Sequence, residues 1–117
     1  MAKILIVDDN PDLLEFLTLI LRRREHEIES VFSGIAIREK ILSFMPNIIL
    51  MDVRLTGING RELCREIKAD KLTAGIKIIL MSASSQYLEN YHECNADAAI
   101  EKPFNIKTMY ETVEGLF

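Results

Sequence analysis

The sequence predicts an α/β domain: a five-stranded parallel sheet, doubly wound, with helices on both faces. Two observations carry that prediction. Ile4-Leu5-Ile6-Val7, Ile48-Ile49-Leu50-Met51 and Ile78-Ile79-Leu80-Met81 are unbroken apolar runs of strand length. Such a strand is covered on both faces, as parallel sheets require; half-solvated antiparallel strands alternate instead. Between the runs lie segments with apolar residues at helical spacing, so strands and helices take strict turns along the chain.

The elements follow in order. The first strand is about Lys3 to Val7. Asn10 caps the next helix, Pro11 suits its first position, and Leu13, Leu14, Leu17, Ile20 and Leu21 share one face. A short strand near Glu27 to Val31 leads to a helix opened by Ser33, carrying Ile37, Ile41 and Phe44, and stopped by Pro46. Strand three is Asn47 to Met51. A loop with Gly57 and Gly60 precedes a helix from about Arg61 to Ala69 that turns Leu63 and Ile67 inward. Strand four is Ile76 to Met81, a polar helix is expected over Ser84 to Cys94, and strand five is Ala98 to Glu101. The last helix places Ile106, Met109, Tyr110 and Val113 at helical spacing. Right-handed crossovers leave few topologies for this order, and the leading one is the flavodoxin-like doubly wound sheet, strand order 2-1-3-4-5 with five helices.

Composition narrows the function. Hydrophobic residues make up 49% and charged residues 27% of 117, which is one globular domain. No linker or repeat divides residues 1-117, and no second domain is expected. The net charge is -4 and no basic stripe exists, so a nucleic-acid surface is excluded. Arg22-Arg23-Arg24 closes a helix, where cations favour its dipole. Cys64 and Cys94 lack CxxC partners, which argues against zinc or redox chemistry. The apolar stretch after Lys3 is too short for a signal peptide and no run reaches membrane-spanning length, so the chain reads as soluble and cytoplasmic.

Chemistry collects where the strands end. Asp8 and Asp9 follow the first apolar run and Asp52 follows the third strand's. In open α/β sheets this carboxyl edge is where ligands bind. Three carboxylates crowded there repel one another, and a hard divalent cation, Mg2+ or Mn2+, relieves that strain. Strand four ends at Ser82 and strand five leads into Lys102-Pro103-Phe104, adding a hydroxyl and an ammonium to the same edge. His26 and His92 lie in other contexts, so a Ser-His-Asp hydrolase is not supported, and neither a Walker loop nor GxGxxG is present. What remains is a site for a metal and a phosphoryl group, with a carboxylate able to become an aspartyl phosphate.

The strings ILIVDD (Ile4 to Asp9), IILMDVRLTGING (Ile48 to Gly60), IILMSA (Ile78 to Ala83) and Lys102-Pro103-Phe104 occur in order, each at a strand end. Together they resemble the receiver domain of two-component response regulators, over essentially the whole chain. The resemblance implies Asp52 as phosphoacceptor. It implies Asp9, Asp52 and the Arg54 backbone carbonyl as magnesium ligands, with Asp8 acting partly through water. It further implies Ser82 and Lys102 on the phosphoryl oxygens and a cis Lys102-Pro103 bond. The implied donor is a phosphohistidine on a sensor histidine kinase or histidine phosphotransfer protein. A downstream effector and a phosphorylation-dependent homodimer also belong to that picture, and membranes do not.

Some positions depart from the family pattern. Ala99 stands where an aromatic residue usually precedes the lysine by three positions, Thr56 where a proline is usual, and Asn95 where a glycine ends the fourth helix. The output change is therefore expected to run through the Ser82 to Ser85 loop and the start of helix four, with Tyr87 and Tyr91 as its aromatic surface. Arg54 is long enough to hang over the phosphoryl site. Two other readings compete. A magnesium-dependent phosphohydrolase would place a second acid two residues after its nucleophile, where Arg54 stands. A degenerate docking receiver would have lost part of the set Asp8, Asp9, Asp52, Ser82 and Lys102, which is intact. The chain is thus expected to transfer phosphate to itself rather than to turn over as an enzyme.

Overall fold

A computed structural model describes residues Met1–Phe117. Its strands are β1 (Lys3–Val7), β2 (Glu27–Val31), β3 (Ile48–Asp52), β4 (Lys77–Ser82) and β5 (Ala98–Glu101). They form one parallel sheet in the order β2-β1-β3-β4-β5, the expected 2-1-3-4-5. The helices are α1 (Pro11–Arg22), α2 (Gly34–Phe44), α3 (Gly60–Ala69) and α4 (Ile106–Glu114). A two-residue ladder, Arg54–Leu55 against Ile58–Asn59, fills the loop between β3 and α3.

The apolar runs are continuous because alternate side chains enter different cores. Leu5, Val7, Ile49, Met51, Ile78 and Leu80 pack with Ile37, Ile41 and Phe44 of α2 and Leu63 and Ile67 of α3. Ile4, Ile6, Ile48, Leu50, Ile79 and Met81 pack on the other face with Leu14, Leu17, Ile20 and Leu21 of α1 and Met109 and Val113 of α4. Both faces are dry, so a one-residue slip of any central strand would swap one full core for the other. The expected Asn10 cap forms, Asn59 is a cap not singled out from the sequence, and Ser33 opens α2 without a side-chain cap bond. Asn10 accepts from Asp12 and Leu13, and Asn59 accepts from Arg61 and Glu62. Met45 is left-handed, ending α2 directly before Pro46, which disfavours helical backbone in its predecessor.

The expected helix over Ser84 to Cys94 does not form, leaving four α-helices instead of five. The β4–β5 connection holds two 3-10 turns, Ser85–Tyr87 and Tyr91–Cys94, separated by Asn90 in a left-handed conformation. Two causes act together. Ser, Asn, Tyr and His are weak helix formers. The Arg61 guanidinium also takes the carbonyls of Tyr87 and Glu89 at 3.1 and 2.9 Å and that of Asn90 at 3.2 Å. In a continuous α-helix those carbonyls would accept from backbone amides four residues on. Asn95, in the left-handed region, still closes the segment as expected.

Cys64 and Cys94, far apart in sequence, meet in the core. The Cys64 thiol donates to the Cys94 carbonyl at 3.3 Å, and burial pushes it up to about 12, an inert thiol. His26 is buried beside α4. Its Nδ1 accepts from the Ala2 amide at 3.1 Å and its Nε2 lies 3.6 Å from the Glu114 carboxylate. Burial holds this imidazole below its ordinary value, even though Glu114 opposes the shift. The unfolded chain, near pKa ~6.5, therefore takes the proton first. His26 contributes stability above that value and loses it as pH falls. Urea midpoints measured at pH 7 and pH 5.5 should fall by less in His26→Asn than in the wild type; equal falls would refute this role.

Candidate functional site

The carboxyl edge of the sheet gathers the predicted residues. Asp8 leaves β1, Asp52 ends β3, Ser82 ends β4, and Lys102 follows β5. Pairing fixes their neighbourhood: Asp52 lies beside Met81, Ser82 lies beside Glu101, and the Lys102 amide donates to the Ser82 carbonyl at 2.8 Å. Gly60 is required behind the site, because a Cβ there would collide with the backbone of Asp52 and Val53.

The Lys102 ammonium sits between two carboxylates, 2.7 Å from Asp8 Oδ2 and 2.8 Å from Asp52 Oδ2. The other oxygens are held by the backbone: Asn10 N–H donates to Asp8 Oδ1 at 2.9 Å, and Arg54 N–H donates to Asp52 Oδ1 at 3.1 Å. Asp8 is 1% exposed, and burial raises its carboxyl above the usual range despite the Lys102 hydrogen bond. Burial acts to lower Lys102, but its hydrogen bonds to Asp52 and Asp8 win and raise it. The site thus contains more negative charge than one ammonium balances.

One carboxylate oxygen each from Asp8, Asp9 and Asp52 fall within 4.8 Å of one another. An all-oxygen, anionic set of this size suits Mg2+ or Mn2+ and does not suit a soft metal. Asp9 is exposed, and its Oδ2 accepts from the Thr56 hydroxyl at 3.0 Å. Ser82 is buried; its Oγ accepts from the Ser84 amide at 3.1 Å, which leaves its own proton free to donate. The Lys102-Pro103 peptide is cis, as expected.

One expectation comes out differently. Arg54 does not cover the carboxylates; its guanidinium lies over the Tyr87 ring, 5.5 Å from the centroid. Tyr91 packs partly into the core, while Tyr87 is 37% exposed. Ala99 pairs with Leu80 inside the sheet. Two partners had no signal in the sequence. Thr56 reads there as a missing proline rather than a donor to Asp9, and Arg61 only as the approximate start of a helix.

Comparison with known proteins identifies the family and the fold. The model of the response regulator receiver domain family matches residues 4–114. Response regulator ArlR of Staphylococcus saprophyticus is 33% identical over 118 residues, covering 99% of this chain and 52% of that protein. DNA-binding response regulator MtrA of Mycolicibacterium smegmatis is 31% identical over 113 residues, covering 95% of this chain and 48% of its own. The chain thus spans about half the length of the curated relatives it matches. Among solved structures, response regulator TrrA of Thermotoga maritima, in complex with Mg2+ and BeF, superposes with a TM-score of 0.88 at 32% identity, covering 100% of both chains. No helix is long and apolar enough to cross a membrane.

Proposed function

The chain belongs to the response regulator receiver domain family, and from that premise we propose that residues 1-117 form one receiver unit that takes a phosphoryl group onto Asp52. The donor is the phosphohistidine of a sensor histidine kinase or phosphotransfer protein. The observation that carries the reading is the Lys102 ammonium held by both Asp8 and Asp52, with Asp9 beside them.

The chemistry follows from the groups present. An Asp52 carboxylate oxygen attacks phosphorus, the bond from phosphorus to the donor imidazole breaks, and an acyl phosphate forms on Asp52. Lys102 then has phosphoryl oxygens to bind as well as Asp8. The free Ser82 proton donates to another of those oxygens. Mg2+, held by Asp8, Asp9, Asp52 and the Arg54 carbonyl, would supply charge neutralisation where phosphoryl oxygens approach carboxylates. The chain is its own substrate, so it completes one transfer and a slow hydrolysis rather than turning over. A phosphohydrolase would need a general acid two residues after the nucleophile, and this chain has Arg54 there. The effector is a DNA-binding domain, as in the relative described as DNA-binding. This acidic domain signals to it in the cytoplasm rather than touching DNA.

Acetyl phosphate with Mg2+ should add the mass of one phosphoryl group, removable by hydroxylamine; no gain would refute the reading. Removing a direct ligand should cost more than an outer-shell change, so Asp9→Ala should weaken Mg2+ binding by at least roughly tenfold. Calorimetric titration checks this, and equal affinities would remove Asp9 from the ligand set.

A further inference from the structure

The β4–β5 connection is anchored by two arginines, one within the loop that follows Asp52 and one just beyond it in α3. Arg61 holds three carbonyls of the connection, those of Tyr87, Glu89 and Asn90. Arg54 holds only the face of one ring, that of Tyr87 in the Ser85–Tyr87 turn. The two anchors differ in what else they can reach. The main-chain N–H of Arg54 already contacts the Asp52 carboxylate at 3.1 Å, so its side chain starts beside the acceptor. Arg61 is committed to its carbonyls, and its side chain is 20% exposed.

We propose that Arg54 reads the phosphoryl state: its guanidinium exchanges the Tyr87 ring for the phosphoryl oxygens on Asp52, and the Ser85–Tyr87 turn loosens while Arg61 keeps the following turn in place. The inference rests on Asp52 being the acceptor. The direction of exchange follows from the relative strength of the two contacts. A planar guanidinium fork matches phosphate oxygens in two charge-assisted hydrogen bonds. A cation over a partly exposed ring gains less, because water already screens it. The family's usual route is closed here, since Ala99 in β5 carries only a methyl group and has no ring to reorient. The path from Asp52 to the surface therefore runs through Arg54 and Tyr87 and leaves β5 nearly unmoved.

Mg2+ with beryllofluoride serves as the probe. Fluorine NMR reports occupancy of the site, carbon-proton NMR reports the Tyr87 ring, and amide exchange reports residues 85–88 and 99–101. At full occupancy the wild type should show a shifted Tyr87 ring and roughly tenfold faster exchange at 85–88, with less than about a twofold change at 99–101. Arg54→Met should begin near the occupied wild-type state, and occupancy should then add little. An unchanged Tyr87 ring at full occupancy in the wild type overturns the inference. So does a ligand-induced shift in Arg54→Met equal to that of the wild type. Absence of bound fluoride in the wild type overturns the acceptor assignment itself, and the inference with it.

Discussion

Asp52→Asn should abolish phosphoryl uptake while leaving the domain folded. The substitution is nearly isosteric, and its carbonyl oxygen can still accept the Arg54 amide that now binds Asp52 Oδ1 at 3.1 Å. An amide is a poor nucleophile, so no acyl phosphate can form there. The neighbouring acids cannot take over. Asp8 is 1% exposed, with one oxygen on Lys102 and the other on the Asn10 amide. Asp9 is exposed but tied to Thr56, outside the pair that Lys102 bridges. Intact-mass measurement with acetyl phosphate and Mg2+ should show wild type modified and the variant unmodified, both with the same circular dichroism. Undiminished hydroxylamine-sensitive phosphate in the variant would show that another residue is the acceptor.

How far the sequence could be read depended on the kind of interaction. The strand runs were legible because burial on both faces removes the need for polar alternation, so Ile4 to Val7 announces its environment residue by residue. The site was legible for a related reason. Parallel strands present their carboxyl ends to one edge, so Asp8, Asp52, Ser82 and Lys102 converge by topology alone. The Ser84–Cys94 segment was not legible. Its conformation depends on Arg61, about twenty-six residues away from Tyr87 in sequence, and no periodicity encodes a side chain that competes for helix carbonyls. The Cys64–Cys94 contact and the Thr56–Asp9 hydrogen bond failed to register for the same reason: each is made across the fold by residues unremarkable where they stand.

Lys102→Met should destabilise the domain strongly at neutral pH, and acid or Mg2+ should reverse part of the loss. Methionine keeps the apolar stem and removes the one cation shared by Asp8 and Asp52. Breaking a buried ion pair by removing one partner typically costs about 3–5 kcal/mol. The upper end requires that both carboxylates stay charged, and here one of them escapes. Asp8 is already raised by burial, with Lys102 as the main opposing influence, so the variant pushes it further up. The folded variant then binds a proton more tightly than the unfolded chain does. Its stability rises as pH falls toward the carboxylate range, the opposite of a carboxylate held by a salt bridge. Mg2+ acts on the same excess charge. With no ammonium competing for the carboxylates, the variant should bind the ion more tightly and gain more stability from it than the wild type. Urea unfolding at pH 7 and pH 5, with and without Mg2+, measures all three effects. A variant as stable as wild type at pH 7, with no added benefit from Mg2+, would show that Lys102 does not neutralise this cluster.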